Sequence, residues 1–110
     1  MQSDALKQAA VAALEDIKAR DIAVLDTRRL TSLFDFLIVA TGDSSRQVKA
    51  LSTHLQERIK SLGAPIHGAE GEKTGEWILV DLGDVVVNIM LPASREYYNL
   101  EELWTEPGSA

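Results

Sequence analysis

The chain contains no cysteine. Disulfides, thiol catalysis, iron–sulfur clusters and cysteine-based zinc sites are therefore excluded. Two histidines are a poor start for any other soft-metal site. Apolar runs such as Phe36–Ala40 and Val85–Val87 fall far below the roughly 18–20 residues of a membrane span. The opening MQSDALKQAA carries Asp4 and lacks both the charged-then-apolar order of a signal peptide and the arginines of a transit peptide. No N-x-S/T sequon is present. The expectation is a cytoplasmic domain.

Positive charge is also scarce. Eleven Lys and Arg stand against 17 Asp and Glu, a net charge of −6. Wrapping nucleic-acid phosphates needs a cationic face, so direct DNA or RNA binding is disfavoured. A basic protein surface is the better electrostatic match, although solubility alone also accounts for an acidic domain. From Glu96 to the end there are four Glu and no Lys or Arg. At 110 residues the chain supports one domain with one core and needs no staples. That domain is expected over residues 1–104, with a flexible C-terminal tail at 105–110.

Apolar spacing predicts a first helix over 4–19, with Leu6, Ala10, Ala13, Leu14 and Ile17 on one side and Ser3 or Asp4 as its cap. Ile22–Asp26 and Phe36–Thr41 both read as buried strands. Ser44 and Gln47 have capping-box spacing. Val48, Leu51, Leu55, Ile59 and Leu62 then form a helical stripe, closed by Gly63 and Pro65. A short edge strand is expected within Ala64–Ala69, since Pro65 lacks a donor. Trp77–Leu82 and Val85–Leu91 form a hairpin around Gly83–Asp84, a type II′ signature. Residues 94–104 read as one amphipathic helix. The order predicts an α/β (α+β) domain, a mixed β-sheet packed with helices.

The hairpin register sorts residues by face. Ile78, Val80, Leu82, Val85, Val87, Ile89 and Leu91 make one wholly aliphatic face, which must lie against helices. Trp77, Leu79, Asp81, Val86, Asn88 and Met90 make the other. That mixed face is either a binding surface or core beneath another helix. In SREYYNLEELW, Tyr97, Leu100, Leu103 and Trp104 fall on one stripe, half of it core, and Tyr98 turns outward as an interface ring.

Candidate chemistry is thin. Asp81 and Asp84 flank the hairpin turn, but carboxylates that hold catalytic metals must converge on one side; Asp84 reads as a turn former. Thr41–Gln47 joins a strand to a helix N-terminus, a phosphate-binding context. It matches neither a Walker loop nor G-x-G-x-x-G, and Ser44 is explained as a cap. Arg46 opposes the helix dipole there and reads as an exposed contact. His54 and His67 lie far apart without a carboxylate at suggestive spacing. No cofactor is implied.

Four segments together resemble one family. DIAVLDTRRL (21–30), FLIVATGDSSRQV (36–48), EGEKTGEWILVDLGDVVVNIM (70–90) and REYYNLEELW (95–104) look like the ribosomal silencing factors, also called Iojap-like, across roughly the whole chain. The resemblance implies a nucleotidyltransferase-like fold without its active site. It implies binding to the large ribosomal subunit through ribosomal protein fourteen (L-fourteen), a steric block to joining of the small subunit, and repressed translation under nutrient limitation. A role in large-subunit maturation in organelles is tied to the same family. Two positions depart from the pattern: Asn88 stands where the family usually has His, and Ser94 where an acidic residue often precedes the Arg. Asn88 keeps hydrogen-bonding capacity but cannot become cationic.

The two lines combine into one expected partner surface: Trp77, Leu79, Asn88, Met90 and Tyr98, flanked by Leu91 and Leu100. Such a patch would also serve a homodimer of the free protein. The rival from another class is a small metal-dependent nucleotidyltransferase using Asp81, Asp84 and the 42–45 turn.

Overall fold

A computed structural model describes residues 1–105. Five strands, β1 (Arg20–Asp26), β2 (Phe36–Thr41), β3 (Gly68–Glu70), β4 (Trp77–Asp81) and β5 (Val85–Met90), form one sheet in the order β1-β2-β5-β4-β3. The pairs β1–β2, β5–β4 and β4–β3 are antiparallel, whereas β2–β5 is parallel. A parallel neighbour requires a crossover. It is supplied by α2 (Ser45–Ser61).

The sheet is mixed and helix-packed, as expected. Helices α1 (Ser3–Asp16) and α2 lie side by side on one face. Leu6, Ala10 and Leu14 of α1, with Val48, Leu51, Leu55 and Ile59 of α2, meet Ile38, Ile78, Val80, Val85, Val87 and Ile89 of the sheet. Full burial of a Leu or Ile side chain contributes about 1.5–3 kcal/mol, so this layer dominates the stability. The hairpin register is the one the sequence predicts, Trp77 opposite Met90, Leu79 opposite Asn88 and Val80 opposite Val87. Gly83 turns the hairpin at φ 90°, and Leu82 N–H donates to the Val85 carbonyl at 2.9 Å. Ser44 caps α2 by accepting from Gln47 N–H at 3.1 Å, and the Gln47 side chain reaches back to accept from Asp43 N–H at 2.7 Å.

Several expectations are corrected. The first helix stops at Asp16, and Gln2, not Ser3 or Asp4, sits at its N-cap without a side-chain bond. β1 is an edge strand, paired only with β2, and Val24 is exposed. Leu62 leaves the α2 stripe and is exposed because it lies past the last helical turn. The C-terminal helix is two pieces, α3 (Pro92–Tyr98) and α4 (Leu100–Leu103), broken by left-handed Asn99 at φ 46°. Asn is the side-chain-bearing residue that tolerates this conformation best. The expected flexible tail falls almost wholly on 106–110, outside the described residues.

Candidate functional site

The sheet face opposite α1 and α2 is covered only in part. Leu37, Val39 and Met90 are buried there, with Leu25, Phe34, Trp77, Val86, Leu100 and Trp104 packed over them and still partly exposed. A cleft of about 160 Å³ opens between Trp77 and Leu79 on one side and Leu100 and Trp104 on the other. A neighbouring hollow of about 270 Å³ lies between Trp77, Leu79, Glu70 and Gly71. Trp77 and Leu79 form the ridge between the two.

The Trp77 indole is fixed on two sides. Its Nε1–H donates to Asn88 Oδ1 at 2.8 Å. Its ring meets the Tyr98 ring, centroid to centroid 4.8 Å. Tyr98 in turn meets Tyr97 edge-on at 5.0 Å. Tyr97 is 82% exposed and Tyr98 48%. Three aromatic rings therefore run in a chain from the sheet out to solvent. Farther along the face, Phe34 and Trp104 pack at 5.0 Å.

The seven expected surface residues are sorted by this geometry. Trp77, Leu79, Tyr98 and Leu100 border the open face. Met90 and Asn88 are fully buried beneath it. β5 is central, so β2 flanks it on the side the hairpin leaves open: Asn88 pairs with Val39 and Met90 with Thr41. Leu91 packs with the α1–α2 core instead. Tyr97 was expected on the half-buried stripe and is instead the most exposed large hydrophobic residue among the described residues; Leu103, on the same stripe, is also exposed. The break at Asn99 rotates α4 out of the α3 phase. A left-handed-tolerant Asn inside YYNLEE is the sequence signal that could have shown it.

Two of the other candidates, Asp81 and His54, have local partners. Asp81 Oδ1 accepts from Gly83 N–H at 2.8 Å, so that carboxylate braces the hairpin turn. Asp84 contributes its carbonyl oxygen to Asp35 and Phe36 N–H. His54 pairs with Asp16 at 3.0 Å. His67 and Asp84 border a separate hollow of about 260 Å³ with Leu6, Ala64 and Leu82. Among the described residues no three His, Asp or Glu side chains are grouped to hold a metal ion. None of the described helices is long and apolar enough to cross a membrane.

Fold and face together define a small α/β domain with one packed sheet face and one aromatic-rimmed open face. Residues 1–109 match the family model described as ribosomal silencing factor during starvation. The chain belongs to the ribosomal silencing factor family, whose role is ribosome-associated silencing of translation. It is 57% identical over 104 residues to a ribosomal silencing factor of Chromobacterium violaceum, covering 94% of this chain and 85% of the relative. A crystal structure of a protein from the same organism superposes with a TM-score of 0.93 at 54% identity, covering 100% of this chain and 93% of that one. A mouse protein named mitochondrial assembly of ribosomal large subunit protein 1 is 35% identical over 98 residues, 86% of this chain but 43% of the mouse protein.

Proposed function

We propose that this protein binds the large ribosomal subunit through ribosomal protein fourteen and, seated there, blocks the approach of the small subunit. The observation that carries this reading is the exposed ring chain Tyr97–Tyr98–Trp77 beside an apolar cleft. Aromatic anchors beside a cleft are the usual centre of a protein interface. The chain's charge of −6 and the acidic arm residues Glu96, Glu101 and Glu102 suit a basic ribosomal protein. The mouse relative's name points to the large subunit of the ribosome. Trp77, Leu79, Tyr97, Tyr98 and Leu100 make the contact, and Asn88 and Met90 support it from below. A steric block requires no catalysis. On this reading the protein works in the cytoplasm, where subunits join, and the same face pairs two copies when no ribosome is present.

Purified ribosomal protein fourteen tests it directly. Wild-type protein binds it in solution, and Tyr98→Ala binds it more weakly by about 2 kcal/mol or more. Equal binding by both proteins, each folded, overturns the surface; no binding by wild type overturns the partner.

A further inference from the structure

We infer that Arg95 is a positioning residue: its guanidinium clasps the α3–α4 arm to the far strands of the sheet and thereby holds Tyr98 against Trp77. The inference rests on the docking reading above for its functional meaning.

The arm packs on the open face through Leu100 and Trp104, whose ring meets Phe34 at 5.0 Å, but neither of these contacts fixes α3. α3 and α4 span seven and four residues and contain no buried residue. Helices this short do not persist unaided in water. The chain bends sharply between them at Asn99. Tyr97 and Tyr98 are thus carried on a short helix that has no buried residue of its own.

Arg95 supplies the anchor. Its side chain is only 15% exposed. Nε donates to Glu101 Oε1 at 2.8 Å, across the bend, and so ties α3 to α4. One terminal nitrogen donates to Thr41 Oγ1 at 2.8 Å and to the Asp21 carbonyl at 2.5 Å. Bonds from a charged donor are the stronger kind, and a planar fork fixes direction as well as distance.

The receiving backbone is shaped for it. β1 and β2 pair Arg20 with Thr41 and then Ala23 with Val39, so two residues, Asp21 and Ile22, oppose one. This is a β-bulge, a feature that re-aims a strand locally. Asp21 sits at φ 49°, and Arg95 takes up its carbonyl. The clasp therefore joins the start of β1, the end of β2 and both helices of the arm.

The test pairs spectroscopy with binding. In a ¹⁵N–¹H spectrum, Trp77→Phe identifies the Trp77 indole signal. Arg95→Met is expected to move that signal toward its position in Tyr98→Ala, with the α2 amides on the opposite face of the sheet unmoved. Glu101→Ala, which removes one of the three partners, is expected to move it the same way but less. Large-subunit affinity is expected to fall about tenfold in Arg95→Met, and no further when Arg95→Met is added to Tyr97→Ala/Tyr98→Ala, because residues acting through one another are not additive. An unmoved indole signal overturns the inference. So does collapse of the whole spectrum, which would make Arg95 a residue of the general fold, or an additive loss, which would make it a direct contact. If Tyr97→Ala/Tyr98→Ala binds subunits like wild type, the docking surface fails, while the indole signal still decides what Arg95 holds.

Discussion

The Trp77 indole N–H and the Asn88 side-chain oxygen, 2.8 Å apart, bond across neighbouring strands where the open face meets the sheet. Asn88 is buried while the indole covers it, and the indole N–H is the donor its side-chain oxygen accepts from. Asn88→Ala and Trp77→Phe each strand one partner and are expected to cost about 1–3 kcal/mol. The double variant Trp77→Phe/Asn88→Leu removes both polar groups and is expected to cost less than the sum. Urea unfolding of the four proteins checks this, and strict additivity would contradict it.

Tyr97 and Tyr98 separate binding from folding. Tyr97 is almost wholly exposed, so Tyr97→Ala is expected to change stability by no more than about 0.5 kcal/mol. Tyr98→Ala also loses a ring contact with Trp77 and is expected to cost somewhat more stability. Both are expected to weaken large-subunit binding, Tyr98→Ala by about 2 kcal/mol or more. Thermal melts beside equilibrium binding show whether the two effects part.

The turn before β4 depends on Gly71. It has φ 89°, and a Cβ there would lie 2.0 Å from the Trp77 carbonyl oxygen, a backbone atom that cannot swing aside. A left-handed side chain alone costs roughly 1–2 kcal/mol, and the collision adds to it. Gly71→Ala is expected to lose about 2 kcal/mol or more, a fall in Tm of roughly 8 °C or more. A melt within two degrees of wild type would show that the turn repacks freely.

Asp26 gives a pH signature. The hydrogen bonds from the Arg28 side chain and then its N–H hold the Asp26 carboxyl well below its ordinary value of 3.8, at about 2. A depressed pKa stabilises the fold above the unfolded value and stops doing so as pH falls through the folded one. The stability difference between wild type and Asp26→Asn is therefore expected to be constant above about pH 5 and to vanish only below about pH 2. The group is exposed, so salt is expected to shrink the difference. Carboxyl NMR of Asp26 reads the pKa itself; an ordinary value would remove the ion pair from the account.

Local pattern carried the hairpin and α2, and sheet order carried the rest. Alternation on either side of Gly83–Asp84 sets the register, because a slip of one residue would turn Ile78, Val80, Val87 and Ile89 away from α1 and α2. The α2 stripe and its Ser44 cap are equally local. By contrast, IAVLD reads as buried until β1 is placed at an edge. Met90 and Asn88 read as surface until β2 is placed beside β5. Neither placement is written in the segments concerned. Trp77, Leu79 and Tyr98 were legible as candidates from alternation and aromatic content. Tyr97 was hidden because one left-handed residue, Asn99, breaks the helical phase that the stripe assumed.

Subunit joining is the most direct measure of the central claim. Large and small subunits, separated and then returned to joining conditions with excess protein, are resolved by sedimentation. The account predicts that wild-type protein travels with the large subunit alone and lowers the joined fraction, and that Tyr97→Ala/Tyr98→Ala, folded by its spectrum, leaves joining at the protein-free level. Undiminished joining with wild-type protein present, or an equal block by the double variant, would contradict it.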